Sequence, residues 1–157
     1  MNTLIVYDSQ YGNTELIANE IGKTLSPLGS AKATRVDAVR ASDLADVDLL
    51  FVGSPTQGWR PTPAIQSYLA SSAANQLRNI RVVCFDTRFQ KPRWLTGSAA
   101  AVMAKRLRAQ GAAPVTEPMS FFVEGTEGPL LNGEVERAKA WAMSVARRFT
   151  PAPAAQR

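Results

Sequence analysis

The sequence predicts an α/β protein built as a three-layer, doubly wound sheet of five parallel strands with helices on both faces. Three observations carry that prediction. Short apolar runs recur along the chain, segments with helical apolar spacing lie between them, and 157 residues are enough to bury one sizeable core. Parallel neighbours cannot be joined by a tight turn, so the intervening helices serve as right-handed crossovers.

The first strand is the run Thr3 to Tyr7. The helix after it has Leu16, Ile17, Ile21 and Leu25 on one face and stops near Ser26-Pro27 and Gly29, residues that end helices. A weaker strand candidate spans Ala33 to Asp37, and a strong one spans Asp48 to Gly53. The next helix starts after Pro61-Thr62-Pro63 and carries Ile65, Tyr68 and Leu69. The fourth strand, Ile80 to Phe85, gives way to a loop, Asp86 to Gly97. A helix follows Gly97-Ser98, with Val102, Met103 and Leu107 before Gly111. The fifth strand candidate is Ser120 to Glu124. The last helix runs from about Gly133 to Phe149 through Val135, Ala138, Trp141, Ala142 and Val145. Residues 1–149 therefore read as one domain. Residues 150–157, rich in Pro and Ala without a periodic apolar face, are expected to be disordered.

Composition narrows the chemistry. Histidine is absent, which excludes Ser-His-Asp and Cys-His catalysis and the usual zinc sites, and no metal site is expected. Cys84 lies in the apolar run of the fourth strand and reads as a small core residue. Any chemistry is expected to belong to a cofactor, with no catalytic side chain of the protein's own. No apolar stretch approaches the roughly 18 residues of a membrane span, and the start runs from Met1 straight into a strand, so a cytoplasmic location is expected. The net charge of +5 is concentrated in residues 78–108, where Arg78, Arg81, Arg88, Lys91, Arg93, Lys105, Arg106 and Arg108 face only Asp86. A run of this kind is commonly just a solvated surface. It carries neither an aromatic-rich RNA motif nor a recognition-helix pattern, so no nucleic acid is expected.

The turn after the first strand is the chemically informative stretch. Ligands of doubly wound sheets sit outside the carboxyl ends of the strands where the strand order reverses, and the first strand-to-helix turn borders that crevice. Here that turn is Ser9-Gln10-Tyr11-Gly12-Asn13-Thr14. Successive backbone N–H groups and the positive end of the following helix form an anion site, to which the Ser9 and Thr14 hydroxyls add donors. Gly12 lets the backbone close on a ligand. With no Lys or Arg in the turn, it is not a nucleoside triphosphate loop, and it is not GxGxxG. It suits one phosphate group held by neutral donors. Ser, Asn and Thr also serve as plain helix caps, and Asn13 or Thr14 taken singly could do only that.

The full pattern Ile5-Val6-Tyr7-x-Ser9-x-x-Gly12-x-Thr14-x-x-x-Ala18-x-x-Ile21 resembles the FMN-phosphate signature of the flavodoxins. The number and order of elements from Thr3 to Phe149 are similar to a short-chain flavodoxin without an insertion in the fifth strand. The resemblance implies strand order 2-1-3-4-5 with FMN at the switch point. It also implies two loops around the flavin ring. One, holding Ser54, Pro55, Thr56, Gln57, Gly58 and Trp59, would line one face of the ring, with Trp59 either stacked on the flavin or anchoring the loop beneath its prolines. In the family a peptide of this loop can turn its carbonyl toward flavin N5, and Gln57-Gly58 matches it. The other loop, holding Asp86, Thr87, Arg88, Phe89, Trp94 and Gly97, would enclose the second face. Flavodoxins commonly place a tyrosine there in an acidic loop. This chain offers Phe89 or Trp94 among Arg88, Lys91 and Arg93.

The resemblance implies a flavoprotein of electron transport that relays one or two electrons through FMN. The reversed charge of the third loop implies an acidic redox partner protein, where flavodoxins usually meet basic ones. Two other classes stand beside the carrier: a small FMN-dependent NAD(P)H:quinone or flavin reductase, an oxidoreductase for which no separate nicotinamide fingerprint is present, and a non-redox binding module of the same fold. A phosphoryl-accepting receiver would need clustered Asp at the strand ends, where Asp8 stands alone.

Overall fold

The computed structural model describes residues 1–71, 76–77 and 80–149. Arg78 and the tail expected to be disordered, 150–157, lie outside the described residues. The strands are β1 (Asn2–Tyr7), β2 (Ser30–Arg35), β3 (Leu49–Pro55), β4 (Arg81–Phe89), β5 (Ala113–Pro114) and β6 (Met119–Val123). The helices are α1 (Asn13–Leu25), α2 (Pro63–Ala70), α3 (Arg93–Thr96), α4 (Ala99–Ala109) and α5 (Glu134–Phe149). Every pairing between these strands is parallel and the order is β2-β1-β3-β4-β5, with β6 also on β4. That is the expected doubly wound arrangement.

Alternation along each strand builds the two outer layers. Leu4, Val6, Leu50, Val52, Val82 and Cys84 pack with Ile65 and Leu69 of α2 and Met103 and Leu107 of α4. Their strand neighbours Ile5, Phe51, Val83 and Phe85 face the other way, onto Ile17 and Ile21 of α1 and Trp141 and Val145 of α5. The Trp141 ring meets Phe51 edge-on at 5.5 Å and Phe121 at 5.6 Å, the T-shaped geometry that aromatic quadrupoles favour. A Cβ on Gly53 would lie 2.1 Å from the Phe85 ring, so glycine alone fits opposite that side chain.

Several boundaries differ from expectation. The fifth strand position is filled by two pieces: β5 pairs with Arg81 and Val82, and β6 pairs with Phe85 to Phe89. The Val115 N–H still donates to the Val82 carbonyl at 3.0 Å, and the ladder breaks over residues 116–118, where Pro118 has no N–H to contribute. Since β6 continues along β4, the fourth strand extends to Phe89, and Asp86 to Phe89 are strand residues where a loop was expected. The second strand lies earlier, Ser30–Arg35, and Val36–Ala38 form a 3₁₀ turn. Leu16 and Val102, expected on buried helix faces, are exposed; Thr14, Ala18 and Gly22 complete the buried face of α1. The chain after β6 folds back on it. Val123 bridges Leu130, Leu131 N–H donates to the Phe122 carbonyl at 2.9 Å, and the Phe122 N–H donates to the Glu134 carboxylate at 2.7 Å.

Candidate functional site

Because all strands run one way, their carboxyl ends share one edge of the sheet, and four loops meet there around an open cavity of about 300 Å³. The first is the turn between β1 and α1. The Ser9 N–H donates to Asp8 Oδ1 at 2.9 Å, and the Gly12 N–H donates to Ser9 Oγ at 3.1 Å. Gly12 adopts φ 91°, a left-handed conformation, and as the residue before α1 it supplies no side-chain cap. The first-turn N–H groups of α1 have no intrahelical acceptor and border the cavity through Asn13 and Thr14. Thr14 Oγ1 and Thr87 Oγ1 lie 2.8 Å apart in a buried pair; one hydrogen joins them and the other remains for a ligand. Ser9, Gln10 and Tyr11 line the same end.

The second loop leaves β3 through Pro55 and Thr56, and the Thr56 N–H donates to the Thr87 carbonyl at 2.9 Å. Gln57 and Arg60 exchange N–H and carbonyl at 2.8 and 3.1 Å around Gly58 and Trp59, at φ 53° and 71°. Two consecutive left-handed residues are what a type I′ turn demands, and for tryptophan that conformation is unfavourable. Trp59 is held in it from outside: indole Nε1 donates to the Leu95 carbonyl at 2.9 Å, and its backbone bridges to Gly97. Gln57 Nε2 donates to Oε1 of Gln10, joining the second loop to the first.

From β4 come Thr87, Arg88 and Phe89, which all line the cavity. Arg88 is a brace: Nε donates to Ser120 Oγ at 2.9 Å, one terminal nitrogen reaches the Lys91 carbonyl at 2.7 Å and Thr96 Oγ1 at 3.1 Å, and the guanidinium lies 5.2 Å from the Phe122 ring centre. Partial burial pulls its pKa down from the free value, against the pull of Asp86. Phe89 is 37% exposed at the cavity, whereas Trp94 is 75% exposed and lies outside the lining.

Other residues singled out from the sequence sit behind the surface. Ser54 Oγ accepts the Thr62 N–H at 3.0 Å and donates to the Pro55 carbonyl. Asp86 is fully buried at the start of α4, where its Oδ2 accepts Ser98 Oγ–H at 2.6 Å and the Ala100 N–H at 3.0 Å. Burial pushes its carboxyl above the usual range despite those donors. Gly97 touches Trp59 from behind, and Gly12 shapes the first turn. Four lining residues were not anticipated. Leu95 and Thr96 come from α3, and Val123 and Thr126 from the chain after β6. The last two carry no motif, but they follow a strand that ends at the same edge, which is the signal that could have found them. Asn13 Nδ2 donates to the Glu127 carbonyl at 3.3 Å, tying this fourth loop to α1. Among the described residues no cluster of acidic or cysteine side chains could hold a metal ion, and no helix is long and apolar enough to cross a membrane.

A flavodoxin family model matches residues 5–141. The chain belongs to the flavodoxin family. The fold agrees with solved flavodoxins. An archaeal flavodoxin superposes with a TM-score of 0.79 at 17% identity, covering 96% of this chain and 100% of that one. Flavodoxin 1 of Bacillus cereus superposes at 0.76 with 20% identity, over 94% of this chain and 98% of its own. Flavodoxin 2 of the same species reaches 0.73 with 25% identity, over 95% and 100%. No curated protein sequence matches the chain. Family and fold together support an FMN-binding flavoprotein of electron transfer. The donor set fits the flavodoxin cofactor: neutral hydrogen-bond donors at one end of the cavity, aromatic side chains at the other, and a volume at the lower end of the roughly 300–1,000 Å³ typical of small-molecule sites.

Proposed function

We propose that this flavodoxin is an electron carrier that holds FMN with the phosphate against Ser9 to Thr14 and the ring between the second and third loops. The observation that carries the reading is the single cavity joining the uncapped start of α1 to Trp59 and Phe89. Bound FMN supplies the redox chemistry, taking up and passing on one or two electrons. The protein's part is placement. Backbone N–H groups of the first turn and the Ser9 and Thr14 hydroxyls bind the phosphate; Thr87 orients the Thr14 hydroxyl through their 2.8 Å contact. Trp59 covers one face of the ring, and Phe89, which borders the cavity where Trp94 does not, is the better partner for the other face. Gly58 takes its φ of 53° without steric cost, so the Gln57–Gly58 peptide can turn its carbonyl toward N5 by giving up the Arg60 N–H that it accepts at 3.1 Å.

The partner we infer is an acidic redox protein. Arg60, Lys91 and Arg93 are exposed on the second and third loops, while Glu124 and Glu127 are exposed on the fourth. Electrons exchanged at the Trp59 side therefore meet a basic rim, which favours a negatively charged surface. Arg88 contributes less than its position in the sequence suggests, since its donors are spent inside the loop.

Titration with FMN and with riboflavin, which lacks the phosphate, tests the site. Several charge-assisted hydrogen bonds at roughly 1.5–3 kcal/mol each give FMN an advantage well above tenfold. A Ser9→Ala, Thr14→Ala double variant should lose much of that advantage and keep its riboflavin affinity. Equal binding of the two ligands by the wild type would reject the phosphate site.

A further inference from the structure

The first turn contains no cation, yet a guanidinium reaches it from the neighbouring strand. Arg35, the last residue of β2, donates from both terminal nitrogens to the Ser9 carbonyl, at 2.9 and 2.8 Å. One of those nitrogens is also 3.4 Å from Asp8 Oδ1, the same oxygen that accepts the Ser9 N–H at 2.9 Å. Both backbone polar groups of Ser9 are thus fixed by charged side chains.

The consequence follows from peptide geometry. A trans peptide is planar, with its C=O and N–H pointing opposite ways. Tying the Ser9 carbonyl to Arg35 therefore aims the Gln10 N–H away from β2, and Gln10 lines the cavity. A peptide free to swing points its carbonyl into the site part of the time, and ordering it on anion binding costs affinity. Both terminal N–H groups of the rigid arginine fork converge on this one oxygen, which resists its turning away.

We propose that Arg35 is the positioning residue of the phosphate site: it locks the Ser9–Gln10 peptide in the anion-binding orientation and lends the turn the positive charge its own sequence lacks. Asp8 offsets part of that charge, so the orienting role is the larger share. The inference rests on the phosphate reading given above.

Flavin-fluorescence titrations of FMN and riboflavin against wild type, Arg35→Met and Arg35→Lys separate the two ideas. For Arg35→Met the expected result is FMN binding weakened about tenfold or more, the scale of a lost charge-assisted pair, with riboflavin changed less than about threefold. Arg35→Lys should fall between, because an ammonium keeps the charge but cannot fork. An unchanged FMN-to-riboflavin ratio in Arg35→Met, or an equal loss of both ligands, overturns the role of Arg35. A wild type without FMN preference overturns the phosphate reading itself. Should Arg35→Met fail to fold, Arg35→Lys decides alone: its ratio must drop below that of the wild type.

Discussion

Replacing Gly97, which does not itself border the cavity, with alanine should loosen the flavin site from behind by displacing Trp59. Gly97 has φ 69°, and an added Cβ would lie 2.5 Å from Trp59 Cβ, 2.6 Å from its Cα and 2.8 Å from Cγ. Two of the three contacts cannot be relieved by rotating the indole, because Cα and Cβ lie on the axis of the first side-chain torsion and only Cγ moves. Trp59 must retreat by about 1 Å to restore ordinary contact distance. It has little reason to stay, since its own left-handed backbone is unfavourable and is held by the Gly97 bridge and the Leu95 hydrogen bond. At φ 69° and ψ −177° Gly97 occupies a backbone region open essentially to glycine alone, and alanine there costs about 1–3 kcal/mol of stability. Losing the indole from the ring costs roughly 0.5–1.5 kcal/mol of aromatic pairing, or about two- to twelvefold in affinity. The loss should fall on FMN and riboflavin alike, because it concerns the ring. That distinguishes it from changes at Arg35 or Thr14, which act through the phosphate. Thermal denaturation and paired titrations measure both quantities. If Gly97→Ala loses stability but binds both flavins as the wild type does, Trp59 does not cover the ring.

Two further outcomes are expected. Glu134→Ala removes a buried carboxylate that accepts from the Phe122 N–H and twice from Arg137, and should lower stability by roughly 2 kcal/mol in urea unfolding. Burial raises the Glu134 pKa, but Arg137 and the Phe122 N–H outweigh it and hold the carboxyl below its ordinary 4.5. Its contribution is therefore complete above about pH 4.5 and lost as pH falls through the depressed value, so wild type and variant should converge only in acid. Reversing Lys91 and Arg93 to glutamate should slow electron exchange with acidic redox proteins by about tenfold at low salt and abolish its salt dependence. A stopped-flow rate with acidic proteins that neither falls with salt nor responds to reversal would remove the steering role.

The sheet and the first turn were legible in the sequence because each rests on local pattern. Continuous apolar runs mark strands buried on both faces, and the ordered set Ser9, Gly12, Thr14 follows one of them directly. What was not legible depends on partners distant in the chain. The extension of β4 to Phe89 exists because β6 lies beside it, and Ser120 is 32 residues from the Arg88 it receives. Trp94 and Phe89 look equivalent as aromatic candidates in one loop; only the turn of α3 separates them. The role of Arg35 was hidden for the same reason, since the β1–β2 register that brings it opposite Tyr7 is not written in either strand alone.

The fold-back after β6 bears on solubility as well as on the cofactor. A sheet ends in a row of free N–H and C=O groups that invites a strand from another molecule. Here Leu131 and Glu134 take both backbone groups of Phe122, and Val123 is bridged to Leu130, so this rim of the sheet is closed by its own chain. The segment that closes it also presents Thr126 to the cavity and is tied to α1 by Asn13. A molecule whose fourth loop lifts would thus bare an aggregation-prone strand at the moment it opens its site, and a ligand that pins the loop would act as a guard against self-association.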